Sequence, residues 1–334
     1  MALRAARTSL WSVSDRHEDL PCPLMAGSAE IAVVRFACAF DLKETAMVKS
    51  ATKTAIVTGG AGGVARALVP MLIGDGYRVA LIDLNAIGLG KMVAEHGDKV
   101  VALPCDLTDL PALTATLEKA RAAFGTLDLL INNAGVTTTG SFVDIDPASI
   151  PRDIGINLIA PLHIIHTVAP WMRSPGAIVN TISLASIAPL VGSSVYSATK
   201  FALRGFNIAL HMEMKPRGIT VSGVLPGAID TPMLLKETRE GATALNFLGD
   251  PLPPEKVAKV ILRAAKEGKV EYYIPYSERI LSSLALLFPA LIPTIYPWFE
   301  KMGVKRQKAY LASRAKDALP EGTPIPERER AEAL

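Results

Sequence analysis

Short apolar runs alternate with helix-length segments from residue 53 to residue 276. Residues 54–57, 78–82, 100–103, 127–131, 177–180 and 219–224 each read as a buried strand, and 270–274 as a seventh. Residues 64–73 read as the first intervening helix. These strands are continuously apolar rather than alternating, which implies a sheet covered on both faces. Repeated strand–helix units with right-handed crossovers then predict an α/β fold, a doubly wound parallel sheet of about seven strands.

The two ends depart from this pattern. Residues 1–50 mix Arg4, Arg7 and small residues with Asp15, Glu18 and Asp19, and their apolar run 31–40 is interrupted by Arg35. That run is too short to span a membrane, and the acids spoil a transit-peptide reading. The ordered protein is expected to begin near Met47, with a flexible N-terminal extension before it. The catalytic domain is then 51–276, followed by an apolar and then basic helical extension over 277–319 and a disordered tail over 320–334.

Composition narrows the class. The 334 residues carry 35 Lys and Arg against 32 Asp and Glu, and half are apolar. A disordered chain would be less hydrophobic. Three cysteines, Cys22, Cys38 and Cys105, do not make a disulfide framework. No zinc-type spacing occurs, so no metal is expected. A net charge of +3 is too small to imply a nucleic-acid partner.

The first strand runs into Thr58-Gly59-Gly60-Ala61-Gly62-Gly63-Val64-Ala65. Glycines let a backbone turn tightly and approach a pyrophosphate, and the helix that follows offers free N–H groups to its charge. Alone, such a turn also serves any tight strand-to-helix connection. The second strand ends at Asp83, twenty residues beyond Gly63. An acid there can accept hydrogen bonds from an adenosine ribose.

Together these features resemble the short-chain dehydrogenase/reductase family, whose turn is Thr-Gly-x-x-x-Gly-x-Gly. Thr58, Gly59 and Gly63 match, and Ala65 stands at the last glycine position. The resemblance continues at Cys105-Asp106-Leu107 and at Asn132-Asn133-Ala134-Gly135, and covers about 53–276. It implies a Rossmann-like single domain and a nicotinamide dinucleotide held by Thr58, Gly59, Gly63, Asp83, Leu84, Asp106, Leu107, Asn133, Ala134 and Gly135. Asp83 also bears on the choice of cofactor. A 2′-phosphate about 4 Å from its carboxylate would cost on the order of 4 kcal/mol at an effective dielectric near 20. Residues 60–62 supply no cation, so the expected cofactor is NAD.

Tyr196-Ser197-Ala198-Thr199-Lys200 looks like the family's Tyr-x-x-x-Lys motif. Four residues of helix bring Tyr196 and Lys200 to one face. An ammonium nearby, with the cofactor's positive nicotinamide, favours phenolate and is expected to lower the tyrosine's pKa, making it a usable acid–base group. By the resemblance Lys200 also holds the nicotinamide ribose. Ser183 lies thirteen residues before Tyr196, where the family places its catalytic serine. Ser186, Ser193 and Ser194 are alternatives that fit the register less well. Asn157 matches the family's helix asparagine, which supports a water linked to the lysine; an asparagine satisfied by backbone is the plainer alternative. Pro226-Gly227-Ala228-Ile229-Asp230-Thr231 resembles the segment that contacts the carboxamide, through Ile229 and Thr231.

Substrate is the least legible part. Residues 233–254 fall where the family carries its variable lid, and Met233, Leu234, Leu235, Leu245, Phe247 and Leu248 make it apolar. An apolar alcohol or ketone, steroid-, retinoid- or lipid-like, is expected. Residues 280–299 carry no charge, but Pro289, Pro293 and Pro297 interrupt them, and six basic residues follow by Lys316. Interior prolines cost a helix about 3 kcal/mol each, which argues against one transmembrane helix. Broken helices that close the pocket and can touch an anionic membrane surface are expected instead.

The resulting expectation is an NAD-dependent oxidoreductase interconverting a secondary alcohol and a ketone. It is cytoplasmic, with peripheral membrane contact through 280–316 as an option, and a homodimer or homotetramer by resemblance. A carbonyl-lipid reductase using NAD(P)H and a non-catalytic, membrane-docked NAD-binding scaffold are the alternatives.

Overall fold

The structure, a computed structural model, describes residues 52–276, 283 and 286–315. The readings made for 1–50, for the tail 320–334 and for much of 277–285 lie outside them.

Every apolar run becomes a strand: β1 (Lys53–Thr58), β2 (Tyr77–Asp83), β3 (Val100–Pro104), β4 (Leu127–Asn132), β5 (Met172–Thr181), β6 (Ile219–Pro226) and β7 (Glu271–Ile274). They pair in parallel in the order β3-β2-β1-β4-β5-β6-β7. The order reverses between β1 and β4, and the loops leaving those two strands diverge. Such a switch point leaves a crevice beyond the carboxyl ends of the strands.

Neighbouring residues of one strand serve opposite layers. Ala55 and Val57 face Leu68 and Leu72 of α1 (Gly63–Gly74) and Val257 and Ile261 of α8 (Pro254–Glu267). Ile56 faces the other way, towards Leu113 and Leu117 of α3 (Leu110–Phe124) and Ile164 of α5 (Ala160–Val168). Both layers are dry, which is why the strands show no alternation. Each fully buried leucine contributes about 1.5–3 kcal/mol. The helix α2 (Ala86–His96) follows β2, and α4 (Ser149–Ile154) runs through a π-turn at Gly155–Ile159 into α5. By length and composition the run Ser149–Trp171 could cross a membrane. Here it is a wall of the domain and carries the buried Asp153 and Asn157.

A chain of buried amides ties the sheet to α6 (Ser194–Met214). Asn132 donates to Asn180 at 2.9 Å, Asn180 to Asn207 at 2.9 Å, and Asn207 to the carbonyl of Val270 at 3.3 Å. Linked amides of this kind fix one packing arrangement, because a shift would strand several buried groups at once; the chain is open at its first member, where Asn132 Oδ1 is buried without a partner among the described residues.

The C-terminal region corrects the sequence reading. Broken helices were expected at the three prolines. The chain does break at residues 288–291, after the helical residues 286–287, but Pro293 and Pro297 leave one 24-residue helix, α9 (Ile292–Ala315), unbroken. Pro293 sits in its first turn, where the backbone N–H has no helical partner to lose. Only Pro297 is interior, and the helix is retained by what it packs against. That is the short helix α7 (Pro232–Arg239) and the 3₁₀ turn Ala244–Phe247.

Candidate active site

One cavity of about 670 Å³ opens at the switch point. Its first wall is the glycine turn. Gly59 has φ +67°, and a Cβ there would meet the backbone of Ala134 at 3.0 Å. A Cβ on Gly63 would meet Thr231 Cγ2 at 3.1 Å, whereas Ala65 is fully buried in the core, so its methyl is accommodated. The N-terminus of α1 has no side-chain cap and no acid in its first turn. Gly62 and Gly63 turn it towards the cavity. Free N–H groups, a positive helix end and no side chain in the way suit a diphosphate.

Asp83 ends β2 at the same wall. Its carboxylate accepts from the N–H of Ala61 at 3.0 Å and from that of Asn85 at 2.9 Å. Leu84, Asp106, Leu107, Asn133, Ala134, Gly135, Ile229 and Thr231 line the cavity with it. Asp106 is steadied by the N–H and hydroxyl of Thr108, at 2.8 and 2.7 Å. The residues therefore fit a dinucleotide, from the ribose end at Asp83 to Thr231. Thr58 stands behind this wall. Its hydroxyl accepts from the N–H groups of Asn133 and Ala134 at 3.0 and 3.1 Å, pinning the end of β4 to that of β1.

Ser183, Tyr196 and Lys200 line the other half of the cavity. Ser183 follows β5, and its Oγ accepts from the N–H of Ala185 at 3.0 Å. The alternatives separate here. Ser186 is buried and donates to the carbonyl of Ser183 at 2.6 Å, while Ser193 reaches the cavity rim. Lys200 Nζ lies 5.5 Å from the centre of the Tyr196 ring and donates to the carbonyl of Thr181 at 3.0 Å.

The lowering expected of Tyr196 counts the positive nicotinamide as well as Lys200; the protein groups by themselves set it higher. Burial pushes the phenol up to about 12, Glu237 adds to the rise, and only the hydrogen bond with Ser183 opposes it. Burial brings Lys200 down to about 8. Removing a phenolate from water dominates, so with the protein groups alone the proton rests on Tyr196 near neutral pH.

Asn157 lies in the π-turn behind the cavity wall. Its amide bonds both backbone groups of Val136, at 2.9 and 2.8 Å, and Thr199 at 3.3 Å. A Cβ built on Gly135 would sit 3.5 Å from Asn157 and 3.6 Å from Lys200 Nζ, so the three converge there.

Three residues that the sequence reading passed over also face the cavity or hold its cover. Arg66, one turn into α1, lines the cofactor half. Glu237 of α7 lines the substrate half; burial, with Glu240 adding to it, pushes its carboxyl up to about 7. Its Oε1 is buried without a hydrogen-bond partner among the described residues. Asp230, in the loop after β6, turns to α9, where it accepts from Tyr310 at 3.0 Å and pairs with Arg314. An acid four residues after Met233 on a helix with an apolar face was a usable signal for Glu237; Arg66 and Asp230 had none.

A parallel doubly wound sheet with a glycine turn, a strand-end acid and a Ser–Tyr–Lys cluster in one crevice defines a dinucleotide-dependent oxidoreductase. The short chain dehydrogenase family model matches residues 53–241, and the chain belongs to that family, whose members act on CH–OH groups. A ketoacyl reductase of Nostoc is 28% identical over 276 residues, covering 79% of this chain and 94% of the relative. The Drosophila melanogaster 3-hydroxyacyl-CoA dehydrogenase type-2 is 33% identical, covering 56% of this chain and 78% of the relative. The 3-alpha-(or 20-beta)-hydroxysteroid dehydrogenase of Mycobacterium tuberculosis is also 33% identical, over 54% of this chain and 70% of its own. The fold is shared with a 3-ketoacyl-(acyl-carrier-protein) reductase from Brucella melitensis, solved with NADH. The TM-score is 0.62 at 23% identity, over 66% of this chain and 96% of that one.

Proposed function

We propose that the chain is an NAD-dependent oxidoreductase that interconverts a secondary alcohol and a ketone on an apolar molecule. The observation that carries this is a single cavity lined at one end by Asp83 and at the other by Ser183, Tyr196 and Lys200. When bound, the dinucleotide would supply the hydride acceptor or donor. The chain's own residues do the rest. The glycine turn and the N-terminus of α1 hold the diphosphate. Asp83, fixed by two backbone amides, takes the adenosine ribose. The hydroxyl of Ser183 bonds the substrate oxygen, and Tyr196 Oη gives that oxygen a proton on reduction and takes it on oxidation. Because the proton rests on Tyr196 near neutral pH, reduction begins from the resting form and oxidation is favoured by higher pH. Lys200 holds the nicotinamide ribose, and Asn157 steadies the Gly135 turn against Lys200.

Asp83 supports NAD over NADP. Arg66 is the cation a 2′-phosphate would need, so the preference can be measured by exchanging these two residues singly. The apolar rim, with Leu190, Met233, Leu245 and Leu248, supports a bulky apolar substrate. A 3-ketoacyl thioester is the second candidate, favoured by what the ketoacyl and hydroxyacyl relatives are named for. Exposed Ile208 and Met212, one turn apart on α6, support a homo-oligomer formed through that helix. Leu291, Ile295, Trp298 and Met302 form an exposed stripe at helical spacing along α9, with Lys305 beside it. That stripe supports peripheral contact of a cytoplasmic protein with anionic membrane, tested by co-sedimentation with phosphatidylserine vesicles.

The test of the activity is reduced-nicotinamide formation with NAD or NADP across bulky secondary alcohols and a 3-hydroxyacyl thioester, with Tyr196→Phe as the blank. Tyrosine-dependent signal with NAD is expected. NAD binding with silence on every alcohol and, in reverse, every ketone would overturn the reading in favour of a scaffold.

A further inference from the structure

The substrate side of the cavity is largely apolar; its polar lining is Ser183, Ser193, Tyr196, Glu237 and, on the 245–250 segment, Asn246 and Asp250. Glu237 lies four residues beyond Met233, so both side chains descend from the same face of α7. Neither ion pairing nor capping explains it: its neighbour Lys236 is paired with Glu240 at 3.9 Å, and the cap of α7 is Thr231. Its Oε1 is buried and has no hydrogen-bond partner among the described residues. A buried acceptor left open costs about 1–3 kcal/mol, more if charged, and persists where something else completes it.

We propose that Glu237 is the specificity-determining residue of this site, accepting a hydrogen bond from a second hydroxyl on the substrate, so that the substrate class is an apolar hydroxy-ketone and its matching diol. The inference rests on the alcohol–ketone reading above and names its substrate more narrowly. A hydroxyl suits the site better than an ammonium. A carboxyl pushed up to about 7 is only partly ionised near neutral pH, and a buried ion pair would require two charges to leave water. A hydroxyl donates to either form and adds no charge. A site built to hydrogen-bond a hydroxyl also rejects the analogue that lacks it, because the protein group is then left unpaired.

The experiment compares decalone with a set of its ring-hydroxylated positional isomers, in the full chain with NADH. Wild type, Glu237→Leu and Glu237→Gln are assayed, and each variant's melting temperature and NADH binding are measured to establish that it folds. In wild type, at least one hydroxylated isomer is expected to exceed decalone about tenfold or more in kcat/KM, chiefly through KM. Glu237→Leu should abolish that preference. Glu237→Gln, which keeps an acceptor, should retain part of it. Turnover of all ketones with no preference in wild type, or a preference that survives Glu237→Leu, would overturn the assignment alone. Equal loss of kcat on every ketone in Glu237→Leu would overturn it too, and make Glu237 a positioning residue for Tyr196. If wild type turns over none of them while binding NADH, the underlying reading fails along with it.

Discussion

The two sides of the cavity are built differently. The strand-end wall consists of residues at the ends of β1, β2, β4, β5 and β6, each tied to the sheet by short bonds to backbone. Thr58 holds the β4 end, Asp83 is held by two amides, and Lys200 is bonded to the carbonyl of Thr181. The cover consists of α7, the turn Ala244–Phe247 and α9, joined through contacts distant in sequence. Tyr296 meets Val191 and Thr243, Glu300 meets Thr243 and Ala244, and Gln307 meets Ala242. The wall fixes where charge and protons move, within the tolerance of a packed sheet. The cover chooses what enters, and can loosen without unfolding the sheet.

The comparison is broken most severely at the wall. Tyr196→Phe removes the proton exchanged with the reacting oxygen, and should lower kcat about 10²- to 10⁴-fold in either direction. NAD affinity and melting temperature should stay near wild type, since the phenol hydroxyl is not a structural tie. Isothermal titration with NAD beside the steady-state assay checks this. A comparable loss of NAD binding would mean that the tyrosine holds the wall together.

The next largest effect is expected in the cover. Glu237 is raised from an ordinary carboxyl value of 4.5 to about 7 by burial. Its proton is bound more tightly in the folded chain, so the stability it lends is complete below about pH 4.5 and is lost as pH rises through 7. Above pH 8 the loss is on the order of 2–3 kcal/mol. Glu237→Gln cannot ionise. Its melting temperature should exceed wild type at pH 8.5, and the difference should shrink towards pH 5. Parallel melting curves across that range would show that the carboxyl is not desolvated.

The same division decided what was legible. All seven strands and the Ser183, Tyr196 and Lys200 cluster could be read from local runs and short motifs, because strand-end chemistry depends on residues adjacent in sequence. The cover could not. Pro293 and Pro297 read as breaks, yet the first falls where a helix loses no bond, and contacts with residues some fifty positions earlier hold the rest. The asparagine chain from Asn132 through Asn180 to Asn207 was equally hidden, since each member alone looks like a misplaced polar residue. The environment of Tyr196 was hidden for a related reason. The four-residue spacing gives a partner, but the burial that raises the phenol is a property of the assembled cavity.

Gly303 tests how closely the cover is fitted. A Cβ there would fall on the carbonyl oxygen of Ala244 and within 2.6 Å of its carbon. Alanine would gain up to about 1 kcal/mol in helix propensity, but crowding against backbone costs about 1–3 kcal/mol. Gly303→Ala should therefore raise KM for a bulky alcohol severalfold and lower the melting temperature by a few degrees, with kcat at saturation little changed. A stabilised variant with unaltered KM would mean that α9 is not seated on the turn.

The smallest and most local effect belongs to Tyr296. Its hydroxyl accepts from the N–H of Val191 at 3.1 Å and shares a 2.8 Å bond with Thr243. It therefore joins α9 to both the Leu190 rim and the 243–247 segment. Tyr296→Phe keeps the ring and removes both bonds, at about 0.5–1.5 kcal/mol each. KM should rise about two- to fivefold, with kcat and NAD affinity unchanged, because neither bond touches the strand-end wall. Ile295→Ser supplies the control from the same helix. That side chain is exposed, on the stripe with Trp298 and Met302 rather than on the face that carries Tyr296, and should leave KM and melting temperature as they were. If the two variants behaved alike, the effect would come from α9 as a whole rather than from its grip on the cavity mouth. If only Tyr296→Phe moves KM, selectivity is carried by particular ties between the cover and the rim.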